Sequence, residues 1–137
     1  MYRYGGSVAR HTIDALVPLI DTLDVAAGSE GFRATVFEPT RDRFYPLLAS
    51  AFPGRWTYCI LVALYPKRMI AAHIDGPCDG IRHHLVLETN EECWSFSDGT
   101  WGQLQRGSFY QMDPNRPHGA VNWGTSRRVH LVIDTKD

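Results

Sequence analysis

The stretch that decides the fold is YCILVALY, residues 58–65, which is followed directly by Pro66. A short apolar run of aliphatic, β-branched and aromatic residues that ends at a proline is typical of a buried strand. Similar short runs follow as far as residue 134, and turn residues such as Asp98-Gly99 separate them. After Arg55 the sequence therefore predicts a protein built from short β-strands.

The pattern predicts seven or eight such strands, at residues 58–65, 69–73, 81–88, 93–97, 102–106, 108–112, 119–123 and 127–134. Before them, apolar residues recur at helical spacing over residues 11–27 and 41–51, and Pro53-Gly54 ends the second pattern. We expect one domain over residues 1–137, with a helical part at about 1–54 and a core at about 55–137. Short strands after a helical start favour a small β-sandwich or jelly roll with helices packed outside it.

Composition narrows the class of protein further. With 137 residues, 44% hydrophobic and 21% charged, the chain is expected to be soluble and globular. A net charge of −1 gives no reason to expect a nucleic-acid or membrane partner. The three cysteines, Cys59, Cys78 and Cys93, lack zinc-site spacing, which favours free thiols and a cytoplasmic location. Cys78 could ligate a metal, but its thiolate suits zinc or copper better than an oxygen-activating iron.

Three residues form a candidate metal site: His73, Asp75 and His118. His73 and Asp75 are two positions apart at a strand end, so both side chains lie on one face. His118 follows a proline-containing loop, residues 114–117, that can bring it to the same place. Two imidazoles and one carboxylate hold a non-haem Fe(II) on one face and leave the other open.

A second group of residues could bind an anionic co-substrate. Arg128 lies ten residues after His118, on the last predicted strand, and Arg82 and His84 share one face of strand 81–88. Buried arginines need a partner anion, and a dicarboxylate such as 2-oxoglutarate would satisfy them. The alternative is that these arginines are surface charges paired with Asp or Glu.

Two long runs resemble a known family. HIDGPCDGIRHHLVL, residues 73–87, and PHGAVNWGTSRRVHLVID, residues 117–134, resemble the core of the aspartyl/asparaginyl β-hydroxylase family of Fe(II)/2-oxoglutarate dioxygenases. In that family an Arg and a His follow the first metal-binding His by nine and eleven residues, as Arg82 and His84 do here. The co-substrate-binding Arg follows the second metal-binding His by ten residues, as Arg128 does. The resemblance covers roughly residues 58–135.

The resemblance implies a mainly β fold, the double-stranded β-helix or jelly roll of the cupin-like oxygenases. It implies Fe(II), 2-oxoglutarate and O₂, and hydroxylation of an amino-acid or peptidyl side chain. Some members replace the acidic metal ligand with glycine. This chain keeps Asp75, so it resembles the full-triad branch, which includes hydroxylases of free amino acids.

The resemblance also implies a role for each site residue. Arg128 would grip the distal carboxylate of 2-oxoglutarate, while Arg82 and His84 would hold its proximal end or a carboxylate of the substrate. The metal ligands would be His73, Asp75 and His118. Two rival functions stay open: a cupin isomerase or hydrolase that uses zinc or manganese, and a catalytically silent jelly-roll binding module.

Four further predictions concern the surroundings of the site. Asp134 would orient one of the arginines. Asn122 would hold the loop that follows His118. His130 shares the face of Arg128 and would line the pocket. Trp94 and Trp101, around a hairpin, would shape the substrate entrance.

Overall fold

The computed structural model of the protein describes residues 2–21, 26–27, 32–34 and 37–137. Within these residues the chain forms eleven strands and two helices. In chain order they are β1 (Arg3–Ser7), α1 (Arg10–Ile20), β2 (Ala26–Ala27), β3 (Phe32–Ala34), α2 (Phe37–Leu48), β4 (Arg55–Leu64), β5 (Arg68–His73), β6 (Ile81–Glu88), β7 (Cys93–Ser97), β8 (Thr100–Gly102), β9 (Ser108–Met112), β10 (His118–Asn122) and β11 (Arg128–Lys136).

The strands form two antiparallel sheets. The larger sheet has seven strands in the order β1-β9-β6-β11-β4-β3-β2, and the smaller has four in the order β5-β10-β7-β8. Neighbours in sequence are often not neighbours in a sheet, as in a jelly roll, where the chain crosses between the two sheets. The prediction of a mainly β protein with helices near its N-terminus is confirmed.

The alternation of side chains along β11 separates the apolar core from the cavity. Its odd-numbered residues Val129, Leu131 and Ile133 are fully buried in a cluster that also contains side chains of α1 and α2. The even-numbered residues lie on the opposite face, because successive strand residues point to opposite sides of a sheet. The helices therefore cover the outer face of the seven-stranded sheet. In the described part of the chain, neither helix is long and apolar enough to cross a membrane.

Helix α1 illustrates how the core is built. Ile13, Leu16 and Ile20 recur at three- and four-residue spacing and are all buried. The helix ends at Ile20, so the prediction of a helix over residues 11–27 was too long. Residues 22–25 lie outside the described residues, and Ala26–Ala27 form strand β2. Asp21, just past the helix, accepts a hydrogen bond of 2.8 Å from Arg127, which fixes the end of α1 against the larger sheet.

Two other predictions need correction. The strand predicted over residues 102–106 is instead β8, Thr100–Gly102, because the chain then turns: the N–H of Ser108 donates to the carbonyl of Gln105 at 3.1 Å, and Gly107 has a φ of 83°. The region before residue 55 is not only helical, since β1, β2 and β3 join the seven-stranded sheet. The second helix, predicted over residues 41–51, runs from Phe37 to Leu48.

Candidate active site

A cavity of about 580 Å³ lies between the two sheets. Strands β4, β6 and β11 line it on one side, and β5 and β10 line it on the other. Its apolar walls come from side chains such as Ile60, Val62, Ile70 and Val132. All six residues predicted for the site line this one cavity: His73, Asp75, Arg82, His84, His118 and Arg128.

The three predicted metal ligands converge at one end of the cavity. His73 ends β5 and His118 begins β10, and the two residues are directly paired across these strands. Asp75 follows β5, and its backbone N–H donates to the carbonyl of Pro114 at 3.0 Å, which ties it to the loop before His118. One ligand atom from each of the three residues lies within 4.8 Å of the other two.

Both histidines have their tautomers set by the backbone. The Nδ1 of His73 lies 2.7 Å from the carbonyl oxygen of Ala71, and the Nδ1 of His118 lies 2.8 Å from that of Arg116. A carbonyl oxygen only accepts, so each Nδ1 carries the hydrogen, and in the neutral imidazole Nε2 keeps its lone pair. Such a second hydrogen bond is the usual way in which a protein orients a metal-binding histidine.

The Nε2 atoms of the two histidines both lie close to the carboxylate of Asp75, which requires a cation between them. His73 Nε2 lies 3.2 Å from Asp75 Oδ1, and His118 Nε2 lies 3.0 Å from Asp75 Oδ2. Lone pairs on neutral imidazoles would repel the carboxylate at this distance unless a proton or a metal ion lay between. Two ligands at right angles, each about 2.1 Å from an ion, are about 3 Å apart. The donor set therefore fits a divalent metal.

Close pairing of the strands beside His118 depends on a glycine. A Cβ on Gly119 would lie 2.5 Å from the carbonyl oxygen of Ile70 on β5. The register between β5 and β10 also shifts between His118 and Ala120. Any side chain at position 119 would push β5 away and would separate the two histidines.

Arg82 is held by two carboxylates near the metal ligands. Its Nε and Nη2 donate to the two oxygens of Asp134 at 2.8 and 2.9 Å, and its Nη1 donates to Asp75 at 3.0 Å. The guanidinium carbon also lies 4.9 Å from the centre of the Tyr58 ring. The predicted role of Asp134 in orienting an arginine is thus confirmed, and Arg82 in turn holds the carboxylate of Asp75.

Arg128 lies in a very different environment. It is 4% exposed, and its Nη2 donates to the hydroxyl of Ser95 at 3.3 Å. Among residues whose side chains are described, no carboxylate lies within 4 Å of its guanidinium. Burial lowers the pKa of Arg128, because the charged form loses its hydration. An arginine in this state is prepared to bind an anion.

Two histidines lie beside Arg128 and remain neutral. The Nδ1 atoms of His84 and His130 are 3.2 Å apart, so one of them donates and the other accepts. Burial holds the pKa of both imidazoles well below the ordinary value, and the positive charge of Arg128 lowers them further. The pair offers hydrogen bonds to a ligand without adding charge, and His130 lines the cavity as predicted.

The buried Asn122 supports the end of β10. Its amide donates to the carbonyls of Leu64 and Ser126, and its side-chain oxygen accepts from the N–H of Gly124. The predicted role of Asn122 in holding this loop is confirmed.

The Cys78 thiol is not part of the metal-ligand group. It donates to the carbonyl of Gly80, and burial raises its pKa to about 11.

The prediction that Trp94 and Trp101 shape the entrance was wrong. Ser95 points inward to Arg128, so its neighbours Trp94 and Phe96 point to the outer face of the smaller sheet. Trp101 packs on Phe96 with ring centres 5.2 Å apart, and neither tryptophan lines the cavity. Sequence analysis missed Ser95 and Tyr2. Ser95 could have been found from the sequence, because it lies in phase with Cys93 and Ser97, which are buried on the same face of β7.

The fold is shared with several solved structures. HygX from Streptomyces hygroscopicus, determined with nickel, 2-oxoglutarate and hygromycin B bound, is 9% identical with a TM-score of 0.67, and the match covers 93% of this chain and 79% of that one. A Pseudomonas putida prolyl-4-hydroxylase is 14% identical with a TM-score of 0.64, over 100% and 95%. An RmlC-like cupin from Shewanella frigidimarina is 13% identical with a TM-score of 0.55, over 85% and 88%. These likenesses show the cupin-like jelly-roll fold.

Membership of a family comes from the sequence itself. Residues 43–137, more than half of the chain, match the sequence model of the family described as Aspartyl/Asparaginyl beta-hydroxylase. The matched segment contains both runs on which the resemblance was based, residues 73–87 and 117–134. The chain therefore belongs to the aspartyl/asparaginyl beta-hydroxylase family.

Proposed function

We propose that the protein is an Fe(II)- and 2-oxoglutarate-dependent dioxygenase that hydroxylates the side chain of an amino acid or peptide. One observation carries this proposal. A cluster of three metal-ligating groups lies at one end of a cavity, and a buried arginine without a carboxylate partner among the described side chains lies at the other. Membership of the hydroxylase family supports it.

The metal ligands would be His73, Asp75 and His118. Bound Fe(II) with 2-oxoglutarate and O₂ would supply the oxidation: one oxygen atom enters the co-substrate, which leaves as succinate and CO₂, and the other enters a C–H bond of the substrate. The protein's own part is to hold and orient these groups. Arg82 does so at Asp75, where it keeps the carboxylate facing both imidazoles.

The co-substrate would be held through its charges. A guanidinium presents two parallel donors to a carboxylate, and such a pair is strong in a dry cavity. Arg128 would bind the distal carboxylate in this way, and the neutral His84 would donate to the co-substrate from the cavity wall. The dianion would also supply the counter-charge for Arg128 that the described residues do not provide.

The substrate would approach from the side of the metal ligands. The side chains of His73 and Asp75 are 41% and 39% exposed, whereas that of Arg128 is buried. A substrate side chain can therefore reach the metal from solvent without displacing the co-substrate. This geometry suits a free amino acid or an accessible peptide.

The test is anaerobic addition of Fe(II) and 2-oxoglutarate, followed by visible absorbance. We expect a weak charge-transfer band that requires both components, is lost in His73→Ala and persists in the exposed-histidine control His11→Ala. Absence of the band from the wild-type protein, together with tight binding of zinc or manganese, would favour the cupin isomerase or hydrolase instead. A positive result would justify a screen of free amino acids and then of peptides.

A further inference from the structure

Tyr2 is a cavity residue with no role so far. It lines the same cavity as the metal ligands and Arg128. Its ring meets that of His84 edge-to-face, with centres 5.3 Å apart and an angle of 83° between the planes. Because an edge-to-face contact is a preferred arrangement of two rings, the position of Tyr2 is tied to that of His84.

Strand β1 brings Tyr2 to this place. The strand pairs with β9 at the edge of the seven-stranded sheet, where Tyr4 lies opposite Tyr110. Gly5 and Gly6 let β1 pass directly over Phe109, since a Cβ on either would lie within 2.9 Å of that ring. The glycine pair thus allows β1 to reach the wall of the cavity.

The polar surroundings of Tyr2 suit a donor. Its hydroxyl has no hydrogen-bond partner in the described part of the chain, although the ring is partly buried. Burial raises the pKa of this phenol, while the nearby charge of Arg128 lowers it and that of Asp75 raises it. The net rise keeps the phenol protonated at neutral pH, so it can donate to an anion.

We propose that Tyr2 is a co-substrate-binding residue whose hydroxyl donates a hydrogen bond to the distal carboxylate held by Arg128. The contact selects a 2-oxo dicarboxylic acid over a 2-oxo monocarboxylic acid of the same length. This inference rests on the proposed function, because it assigns one more contact to the same co-substrate.

The chemistry of the carboxylate supports this assignment. A carboxylate has about four acceptor positions, and an arginine fork fills two of them. Arg128 is 4% exposed, so at its end of the cavity donors from the protein would fill the other positions. Ser95 accepts from Arg128 and can fill one further position with its own O–H, whereas Tyr58 lies against Arg82 at the other end. Tyr2 is the phenol that combines a position in the cavity wall with the nearby charge of Arg128.

The experiment measures the affinity of the Fe(II)-loaded protein for two ligands under anaerobic conditions. The ligands are 2-oxoglutarate and 2-oxovalerate, which has the same number of carbons but a methyl group in place of the distal carboxylate. Tyr2→Phe keeps the ring on His84 and removes only the hydroxyl. We expect its Kd for 2-oxoglutarate to rise about tenfold or more, as for a lost hydrogen bond to a charged group, with its Kd for 2-oxovalerate unchanged.

Two controls make the result specific. Tyr4→Phe removes a hydroxyl two residues away, on a side chain that is 61% exposed, and should leave both affinities unchanged. Gly6→Val keeps the Tyr2 hydroxyl but displaces β1 from Phe109, and should weaken 2-oxoglutarate binding as Tyr2→Phe does. Thermal unfolding of each variant checks that the fold is intact.

The outcomes separate this inference from the proposed function. If the wild type binds 2-oxoglutarate and Tyr2→Phe binds it equally well, Tyr2 makes no such contact, and the proposed function is unaffected. Equal weakening of both ligands would also overturn the inference, because Tyr2 would then only shape the cavity. If the wild type binds no 2-oxoglutarate with Fe(II), the proposed function fails, and the inference fails with it.

Discussion

The two arginines of the cavity differ in how their charges are balanced. At the metal end, Arg82 donates to both oxygens of Asp134 and to Asp75, so its charge is matched within the protein. At the other end of the cavity, Arg128 is buried. Among the described side chains its hydrogen-bond partner is the hydroxyl of Ser95. The difference separates an arginine whose charge is balanced within the protein from one whose charge is available to a ligand. The predicted contact of Arg82 with the co-substrate or substrate stays a prediction.

The two arginines are expected to affect the stability of the folded protein differently. Removing one partner from a buried ion pair is strongly destabilising, because the other charge is left without compensation. A buried charge without a partner is itself unfavourable, and a ligand that binds only the folded state stabilises that state. Substitutions at the two arginines should therefore have opposite effects on the stability of the ligand-free protein.

The largest effect is expected at the metal ligands themselves. His118→Ala or Asp75→Ala should abolish iron-dependent turnover of 2-oxoglutarate, since each removes one of three converging ligand atoms. Succinate formation and Fe(II) binding by the purified variants would be measured together, with circular dichroism as the check on folding. Full turnover in either variant would show that these residues do not hold the metal.

Arg82→Met should destabilise the protein most. The substitution leaves the carboxylate of Asp134, which is 3% exposed, without its two hydrogen bonds, and it frees Asp75. Losing one partner of a buried pair costs about 3–5 kcal/mol, so the free energy of unfolding in urea should fall by that amount. The double variant Arg82→Met/Asp134→Leu should recover much of the loss. A single variant as stable as the wild type would show that the pair is not effectively buried.

Arg128→Met should change stability in the other direction. Replacing a buried unpaired cation by an apolar side chain of similar length should raise the free energy of unfolding of the ligand-free protein, by about 1–4 kcal/mol on the scale of buried-charge replacements. The same variant should lose about 2–5 kcal/mol of binding free energy for 2-oxoglutarate. Urea unfolding with and without the co-substrate measures both effects. A destabilised variant would mean that Arg128 has a compensating partner, and the contrast with Arg82 would no longer hold.

Local pattern in the sequence was enough to predict the parts of the site that depend on strand alternation. Alternation along a strand is enough to place Arg82 with His84 on one face of β6 and Arg128 with His130 on one face of β11. It likewise places His73 and Asp75 on the same face. The bounds of β6, β7 and β9 were predicted as observed. The position of His118 needed only a loop of fixed length between two strands.

Features that depend on distant pairing were not predictable in this way. The strand β1 exists because Arg3 lies opposite Gln111 in β9, more than a hundred residues away, and nothing near Arg3 indicates this partner. Tyr2 was missed for the same reason. The direction of Trp94 was missed because it depends on which face of β7 meets the cavity, and that is set by the packing of one sheet on the other.

The neutral histidines His84 and His130, which lie beside Arg128 in the cavity, predict a dependence of stability on pH. Because burial lowers the pKa of His84 and His130 far below the value of about 6.5 in the unfolded chain, the unfolded state binds more protons at acidic pH. Stability should then fall as the pH drops below about 6.5, by up to about 1.4 kcal/mol per pH unit for each imidazole.

Urea unfolding between pH 7 and 5 measures this dependence. The double variant His84→Gln/His130→Gln should show a flatter profile, whereas His11→Gln, at an exposed position on α1, should follow the wild type. A profile of the double variant as steep as that of the wild type would assign the acid sensitivity to other groups.

The smallest effect is expected at the outer face of the smaller sheet. Trp101 is 53% exposed and contacts Phe96 on the side of β7 that faces away from Ser95 and the cavity. Substitutions at such surface positions usually change stability by no more than about 0.5 kcal/mol, so Trp101→Ser should leave the urea midpoint and the Kd for 2-oxoglutarate nearly unchanged. Titration of the charge-transfer band in this variant is the check. A clear loss of co-substrate affinity would mean that a change on the outer face shifts β7. Such a shift would move Ser95, which lies on that strand and contacts Arg128.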